Sequence, residues 1–282
     1  MLEHDSALPK GCERVDVGEL VLNVRITGSG TDTVYLLHGV TANLHVWEPV
    51  ARELSRAFRV VAVDQRGHGH SDKPDTGYGA TGFSDDVIGL VTVLQAGGRN
   101  LLVGHSLGAR NSAVATARRP DLIDGFVGIE FTPFIENEIF DVLEARVGGG
   151  DRSFETVAKI ESYLTARYPL MPADAIARRA SYGYEHVGDN YRPLASAHGM
   201  LQTVSQLRED LGSFVTRLKR PGVFVRGAES LLVTANAFAA TQRLRPDLGY
   251  STVQHADHYV PEEQPAAVVD IVRSFAESLS DR

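Results

Sequence analysis

A strand that must turn abruptly into a helix restricts the fold of this chain more than any other feature. Residues 100–103 form an apolar run, residues 109–119 suit a helix, and Gly-His-Ser-Leu-Gly at 104–108 lies between them. In this G-x-S-x-G pattern the serine takes a strained backbone conformation that lifts its hydroxyl clear of the sheet. The same letters could occur by chance in a chain with 27 glycines. The strand–turn–helix context favours the turn, with Ser106 as a candidate nucleophile.

Apolar strands alternate with amphipathic helices along most of the remaining chain. The predicted strands are 20–26, 33–37, 59–63, 126–130, 222–227 and 250–254, and the predicted helices are 47–58, 83–94 and 265–279. Parallel strands need long crossover connections, which are usually helices. The alternation therefore predicts an α/β fold, with a parallel sheet and helices on both of its faces.

The alternation stops at residue 132 and resumes after residue 220. Within this segment we expect no strand and three helices, at 153–168, 173–184 and 196–211. An all-helical insert between two core strands is typical of a lid over an active site. We therefore expect a core formed by residues 1–131 and 221–282 and a helical cap formed by residues 132–220.

Composition limits the partners of the chain. Its 282 residues, 43% of them hydrophobic, suffice for one large α/β domain. The net charge of −8 gives no reason to expect nucleic acid or an anionic membrane surface, and no apolar run is long enough to span a membrane. Cys12 is the only cysteine, so an intrachain disulfide and a cysteine-rich metal site are excluded. Residues 1–11 lack the apolar segment of a secretion signal, so we expect a cytoplasmic protein.

A serine nucleophile needs a base to remove its proton, and that base needs an acid to orient it. His258 is the candidate base because it follows the last predicted strand, where a loop can bring it over the nucleophile. His255 is a competitor, but it lies too close to the end of the strand. The chain has ten histidines, so a structural or surface role for His258 is the alternative.

Two positions compete for the role of the acid. In the loop after residues 222–227, Ser230 stands where a carboxylate is expected, and Glu229 lies one residue too early. Glu130 ends an otherwise apolar strand, and a carboxylate there is costly to bury unless it is paired. A histidine that becomes charged during turnover would be such a partner, so we favour Glu130. The alternative for Glu130 is a solvated residue at the start of the cap.

Negative charge develops on the attacked carbonyl oxygen and needs two backbone N–H donors. Leu107 follows the nucleophile at the start of a predicted helix. Val40 follows His-Gly at the end of a predicted strand. We expect the amides of these two residues to form the oxyanion hole.

Four motifs together resemble those of the α/β-hydrolase superfamily. They are Leu-Leu-His-Gly at 36–39, Asp-Gln-Arg-Gly-His-Gly-His-Ser at 64–71, the G-x-S-x-G pattern at 104–108, and Asp-His at 257–258. The resemblance covers essentially the whole chain. It implies a mostly parallel sheet of eight strands, a helical cap inserted after strand six, and a Ser-His-acid triad that works without a cofactor or metal.

Two further consequences follow from this resemblance. Epoxide hydrolases and haloalkane dehalogenases of the superfamily carry an aspartate where this chain has Ser106, so both subgroups are excluded. An acid after strand six is a known variant of the triad, and Glu130 occupies that place.

A closer resemblance links the chain to amide hydrolases of this superfamily that act on a small dicarboxylate in vitamin B6 degradation. It is carried by residues 129–136, 143–147, 166–169, 192–196 and 256–260. Two substrate carboxylates need cationic or hydrogen-bonding partners, and arginine offers a bidentate fork. The candidate substrate-binding residues are Arg146, Arg167, Tyr168, Tyr259 and Ser230. A solvated or ion-paired surface role is the alternative for each arginine.

The sequence thus predicts a cofactor-free serine hydrolase that cleaves the amide of a small anionic substrate through an acyl-Ser106 intermediate. A carbon–carbon bond hydrolase for vinylogous diketones, a general carboxylesterase and a cofactor-free oxygenase are alternatives. Paired arginines in the cap would favour a dicarboxylate, and an apolar cap would favour an ester. A receptor built on the same fold is a further alternative, against which an intact triad would count.

Overall fold

A mixed sheet of eight strands runs through the molecule, which a computed structural model describes over residues 8–148 and 152–280. The described residues form ten strands, eight in this sheet and two (β7 and β8) in a separate pair. They are β1 (Cys12–Asp16), β2 (Val21–Thr27), β3 (Thr33–Leu37), β4 (Arg59–Val63), β5 (Asn100–His105), β6 (Gly125–Ile129), β7 (Tyr184–Val187), β8 (Asn190–Pro193), β9 (Gly222–Gly227) and β10 (Gly249–Val253). The sheet order is β1-β2-β4-β3-β5-β6-β9-β10, and every pair from β4 onward is parallel. The predicted α/β fold with a mostly parallel eight-stranded sheet is therefore confirmed.

Helices cover both faces of this sheet. The α-helices of the described residues are α1 (Glu48–Leu54), α2 (Ala80–Leu94), α3 (Leu107–Arg118), α4 (Asn137–Gly148), α5 (Val157–Arg167), α6 (Ala173–Tyr182), α7 (Ala197–Gln206), α8 (Gly212–Thr216), α9 (Ala235–Leu244), α10 (Val260–Glu263) and α11 (Pro265–Ser278). α1 and α11 pack on one face, and α2 and α3 pack on the other. Strands covered on both faces are apolar throughout, which is why β3 and β6 are buried at every position.

The segment between β6 and β9 differs from the expected all-helical insert. It carries α4 to α8, but β7 and β8 also pair there as an antiparallel hairpin. The helix expected at 173–184 ends at Tyr182, and Gly188 makes the hairpin turn with a φ of +62°. Both strands are short and only half-buried, so they lack the apolar alternation by which a strand is recognised in a sequence.

Other helix boundaries in this segment also shift. The helix expected from residue 153 begins at Val157, where the Thr156 side chain accepts a hydrogen bond from Lys159 N and caps the first turn. The helix expected at 196–211 ends at Gln206. α4 and α8 were not predicted as separate helices.

Two expectations concern membranes and targeting. Within residues 8–148 and 152–280, no helix combines the length and the apolar character needed to cross a membrane. The expectation about a secretion signal rests on residues 1–11, of which residues 1–7 lie outside the described part of the chain.

Candidate active site

Ser106 lies at the turn between β5 and α3, with a backbone φ of 52° in the left-handed region that few residues other than glycine adopt. The turn requires glycine on both sides of the serine. A Cβ at Gly104 would lie 2.2 Å from the backbone of Gly108, and a Cβ at Gly108 would lie 2.1 Å from the Leu37 carbonyl oxygen. The local sequence therefore brings Ser106 to the carboxyl end of the parallel strands, where it borders a cavity.

The candidate base and the candidate acid are in contact. His258 Nδ1 lies 3.0 Å from Glu130 Oε2. An ionised carboxylate can only accept, so Nδ1 carries the proton and Nε2 of a neutral ring is free to accept another. His258 and Ser106 line one cavity, and among the described residues no hydrogen bond joins their side chains. Such bonds often tighten only when substrate is bound.

Glu130 is fully buried, and the loop after β9 satisfies its carboxylate. Gly227 N donates to Oε1 over 2.7 Å, and the Ser230 hydroxyl donates to Oε2 over 2.6 Å. Together with His258, these donors compensate the loss of water around the charge. Ser230 was expected among the substrate-binding residues, but its hydroxyl is engaged by Glu130 instead. Ser230, at the position where a carboxylate was expected, thus donates a hydrogen bond to the carboxylate of Glu130, which follows another strand.

The two competing residues lie away from this pair. Glu229 and His255 are both exposed. The Glu229 backbone N–H donates a hydrogen bond to Ala256 O. This bond holds the loop, and the Glu229 side chain faces solvent. The structure therefore brings Glu130, and not Glu229, to the His258 ring.

Two backbone amides beside Ser106 are available as donors. Leu107 is the first residue of α3, so its N–H has no partner within the helix. Val40 lies in the loop after β3 and lines the same cavity as Ser106. Neither amide donates a hydrogen bond to another described residue. Both can therefore donate to an oxygen bound at Ser106.

Two buried histidines hold the loop that carries Val40. His38 Nδ1 donates to Gly39 O over 2.8 Å, and Thr41 N donates to His68 Nε2 over 3.1 Å. Burial lowers the pKa of His68 to about 4 and holds that of His38 well below its usual value. Because both rings are uncharged at neutral pH, each keeps one nitrogen as a donor and the other as an acceptor.

A cavity rich in arginine opens beside Ser106 and His258. We call it the arginine cavity; it is also lined by Arg146, Arg167, Tyr168, Arg179 and Tyr259. Its inner part has a volume of about 40 Å³, and an adjoining part of about 100 Å³ extends into the cap and shares the same three arginines and Tyr168. Four of the five candidate substrate-binding residues therefore line one cavity with Ser106.

The two arginines predicted to bind substrate differ in their partners from the ion-paired arginines of the cap. Among the described residues, no carboxylate forms an ion pair with Arg146 or Arg167. Arg167 is held by phenol groups, since its Nε donates to Tyr168 Oη over 3.1 Å and its Nη1 donates to Tyr163 Oη over 2.9 Å. The cavity thus carries uncompensated positive charge, which suits an anionic ligand.

Comparison with known proteins assigns the family. A family model for the alpha/beta hydrolase fold matches residues 32–150. A protein of Mesorhizobium japonicum named 2-(acetamidomethylene)succinate hydrolase is 49% identical over 265 residues, which cover 94% of this chain and 95% of that protein. The chain belongs to the α/β-hydrolase family.

Solved structures agree with this assignment. The crystal structure of E-2-(acetamidomethylene)succinate hydrolase matches the α/β-hydrolase described here with a TM-score of 0.91 at 49% identity, over 94% of this chain and 98% of that one. An esterase of Mycobacterium tuberculosis matches with a TM-score of 0.79 at 25% identity, over 97% and 93% of the two chains. A thioesterase domain from the curacin biosynthetic pathway, at 20% identity and a TM-score of 0.80, shares the fold.

Arg179 is a residue of the hydrolase's site that sequence reasoning missed. Its guanidinium group is buried between the rings of Tyr168 and Tyr259, with Cζ 5.1 Å from each ring centroid. It also donates from Nε and Nη2 to the Glu262 carboxylate. Arg179 lies in α6 of the cap, and Glu262 lies in α10, four residues after the candidate base. The pair therefore joins the cap to the loop that carries His258.

No sequence signal singles out Arg179, because the cap contains many arginines. Its partner Glu262 is 83 residues away in sequence. Arg152 also lines the outer part of the arginine cavity, with Cζ 5.2 Å from the Tyr163 ring centroid. Within the described ranges of the hydrolase, no group of three or more His, Cys, Asp or Glu residues could hold a metal ion.

Proposed function

We propose that the chain is a serine amidohydrolase that cleaves the acetyl amide of (E)-2-(acetamidomethylene)succinate in vitamin B6 degradation. The observation that carries the proposal is the arginine cavity, where Arg146 and Arg167 lie beside Ser106 and His258 and form no ion pair with any described carboxylate. A dicarboxylate would compensate both charges. The relative from M. japonicum, whose name states this substrate, supports the same assignment. A cytoplasmic location is part of the proposal.

The proposed reaction begins with attack of Ser106 Oγ on the amide carbonyl carbon. His258 Nε2 accepts the hydroxyl proton, and the amides of Val40 and Leu107 stabilise the oxyanion. Glu130 stabilises the imidazolium ion that forms on His258.

Collapse of this intermediate breaks the C–N bond. The charged His258 donates its proton to the leaving nitrogen, so the amine fragment departs and acetyl-Ser106 remains. A water molecule then attacks the ester with His258 again as base, which releases acetate and restores the Ser106 hydroxyl. Each proton removed by His258 is returned in the same half-reaction.

Substrate specificity is expected to depend on Arg146 and Arg167, the two cavity arginines that form no ion pair with a described carboxylate. Replacing Arg167 by methionine removes a bidentate donor to one carboxylate, so kcat/KM for the dicarboxylate should fall about 10- to 100-fold, mostly through KM. Arg146→Met should act in the same direction. The measurement is acetate release from (E)-2-(acetamidomethylene)succinate, with a neutral nitrophenyl ester assayed in parallel.

Arg192→Met is the matched control, because Arg192 is an exposed cap arginine outside the cavity. It should leave kcat/KM for both substrates unchanged. If Arg146→Met and Arg167→Met lose neutral-ester activity as strongly as dicarboxylate activity, the arginines do not select the substrate. A general carboxylesterase or a carbon–carbon bond hydrolase would then describe the enzyme better.

A further inference from the structure

Ser106 borders a second cavity, which also shares Leu143 and Leu232 with the arginine cavity. This second cavity has a volume of about 190 Å³ and is lined by Ser106 and Leu107. Its apolar wall consists of Phe131, Ile135, Phe140, Leu143, Leu207 and Leu211. His258, Arg146 and Arg167 are not among the described residues that line it. The nucleophile therefore stands between two spaces of different chemical character.

Of the charged side chains that line the second cavity, Arg110, Arg208 and Glu209 are in ion pairs. Glu130 contacts His258, and Asp210 accepts a hydrogen bond from Gly212 N. Arg110 Nη2 lies 3.0 Å from Glu209 Oε2, and Arg208 pairs with Asp141 and Glu144 at 2.6 Å and 3.1 Å. The arginine cavity, by contrast, has two arginines without carboxylate partners among the described residues. An uncharged group is thus favoured in the second cavity, and an anionic group in the arginine cavity.

The position of His258 decides which part of the substrate enters which cavity. His258 must protonate the leaving group, so that group lies on the side of the ring, in the arginine cavity. The acyl group stays bonded to Ser106 after the leaving group has gone. The other space that borders Ser106 is the second cavity, which is where the acyl carbon chain can lie.

The volume of this cavity is much larger than a methyl group requires. An apolar protein cavity of about 150 Å³ is large enough to bind benzene, which has six carbons. An acetyl group would therefore leave most of the second cavity unfilled. Because buried apolar area contributes roughly 0.8 kcal/mol per CH₂ group, a longer acyl chain would gain binding energy there.

We propose that the second cavity is an acyl-binding site that admits unbranched, uncharged acyl chains of about four to six carbons. This inference rests on the proposed serine mechanism and extends its substrate class beyond acetyl compounds. The enzyme would hydrolyse butanoyl and hexanoyl esters or amides with the same bond changes as the acetyl substrate.

The test compares nitrophenyl acetate, butanoate and hexanoate, each corrected for its uncatalysed hydrolysis. We expect kcat/KM for butanoate and hexanoate to equal or exceed that for acetate. A preference of about tenfold or more for acetate overturns the inference, since one misplaced methylene in a pocket costs about that much.

Nitrophenyl hydrogen succinate tests the charge of the occupant, because Arg110 Nε and Nη1 have no partner among the described residues. If it is hydrolysed faster than butanoate, the claim of an uncharged acyl chain is overturned.

Two substitutions fill the cavity from different walls. Ile135→Trp and Leu207→Trp should each lower the ratio of hexanoate to acetate kcat/KM by about tenfold or more. Leu201→Trp is the matched control, since Leu201 is an exposed residue of α7, and it should preserve the ratio. An unchanged ratio in both cavity variants, with unchanged thermal unfolding, places the acyl chain elsewhere and overturns the inference.

Failure of this inference differs from failure of the proposed function. If acetate release depends on Ser106 while butanoate and hexanoate are not hydrolysed, only the acyl site is disproved. If the Ser106→Ala variant releases acetate from nitrophenyl acetate or from (E)-2-(acetamidomethylene)succinate as fast as the unmodified enzyme, the serine mechanism itself is disproved.

Discussion

At the scale of single residues, the site stores backbone strain. Four described residues other than glycine have a positive φ. Three of them belong to the proposed site: Thr41 in the loop that carries Val40, Ser106 as the proposed nucleophile, and Glu130 as the proposed acid. Such conformations persist only where the surrounding contacts enforce them. For Glu130 those contacts are the donors from Gly227 and Ser230, so the carboxylate is held ready for His258 before substrate arrives.

Substitution of Glu130 by glutamine tests the acid. The amide would keep the volume but lose the charge that stabilises the His258 imidazolium ion, and it would favour the wrong tautomer of the ring. We expect kcat to fall on the order of 10³- to 10⁴-fold with little change in KM. Steady-state kinetics measure this, with circular dichroism as the control for folding. A loss of less than about tenfold would show that another group orients His258.

The position of the acid illustrates what could be predicted at this scale. Glu130 is recognisable because a carboxylate at the end of an apolar strand calls for a buried partner. The role of Ser230 could not be predicted, since a serine in a loop gives no sign of which carboxylate it faces. That choice depends on β6 and β9 lying side by side, which only the assembled sheet shows.

At the scale of elements, the loop between β3 and α1 depends on neutral histidines. His68 is fully buried with a pKa of about 4, whereas an unfolded histidine titrates near 6.5. Because the pKa is lowered, the His68 ring binds fewer protons in the folded state than in the unfolded state between about pH 4 and pH 6.5. Its contribution to stability is therefore complete above about pH 6.5 and is lost as the pH falls towards 4.

The free energy of unfolding should accordingly fall by about 3 kcal/mol between pH 7 and pH 4 through His68, with His38 acting in the same direction. His68→Gln removes this titration and should flatten the pH dependence by about that amount. Urea unfolding at several pH values measures it, and His198→Gln, at an exposed histidine of α7, is the control. Equal pH dependence in His68→Gln and the unmodified protein would contradict the assignment.

A buried ion pair links α6 of the cap to α10 of the core. Arg179→Met would leave the Glu262 carboxylate buried without its partner, which should cost about 3–5 kcal/mol of stability. Arg179→Met combined with Glu262→Met removes both charges, so it should be less destabilising than the sum of the single changes. Urea unfolding of the three variants measures the coupling. Strictly additive changes in the free energy of unfolding would show that Arg179 and Glu262 have no coupling energy, which would contradict the assignment.

The same elements mark the limit of prediction from sequence. The central strands of the core, such as β3 and β6, are buried at every position, and α1, α2, α3 and α11 repeat apolar residues at helical spacing, so these elements could be located. The mostly exposed strand β1 was not predicted. The β7–β8 hairpin could not be located, because its strands are short, half-buried and polar. Arg179 could not be singled out among the cap arginines either, because nothing in the sequence near Glu262 indicates that this residue is its partner.

At the scale of the whole molecule, charge is distributed unevenly. The chain carries a net charge of −8, yet Arg146 and Arg167 form a positively charged region beside Ser106, the proposed nucleophile. In the second cavity, which also borders Ser106, Arg110 pairs with Glu209, and Arg208 pairs with Asp141. This arrangement would orient a substrate with its anionic amine part toward His258 and its acyl part away from it.

The central claim is that Ser106 attacks the amide of a dicarboxylate, and acetate release by Ser106→Ala tests it most directly. With (E)-2-(acetamidomethylene)succinate as substrate, we predict that kcat falls on the order of 10⁴- to 10⁶-fold, because the Ser106 hydroxyl is the group that forms the proposed acyl intermediate. Thermal unfolding of the variant should match that of the unmodified protein. Acetate release within about tenfold of the unmodified rate would contradict the account.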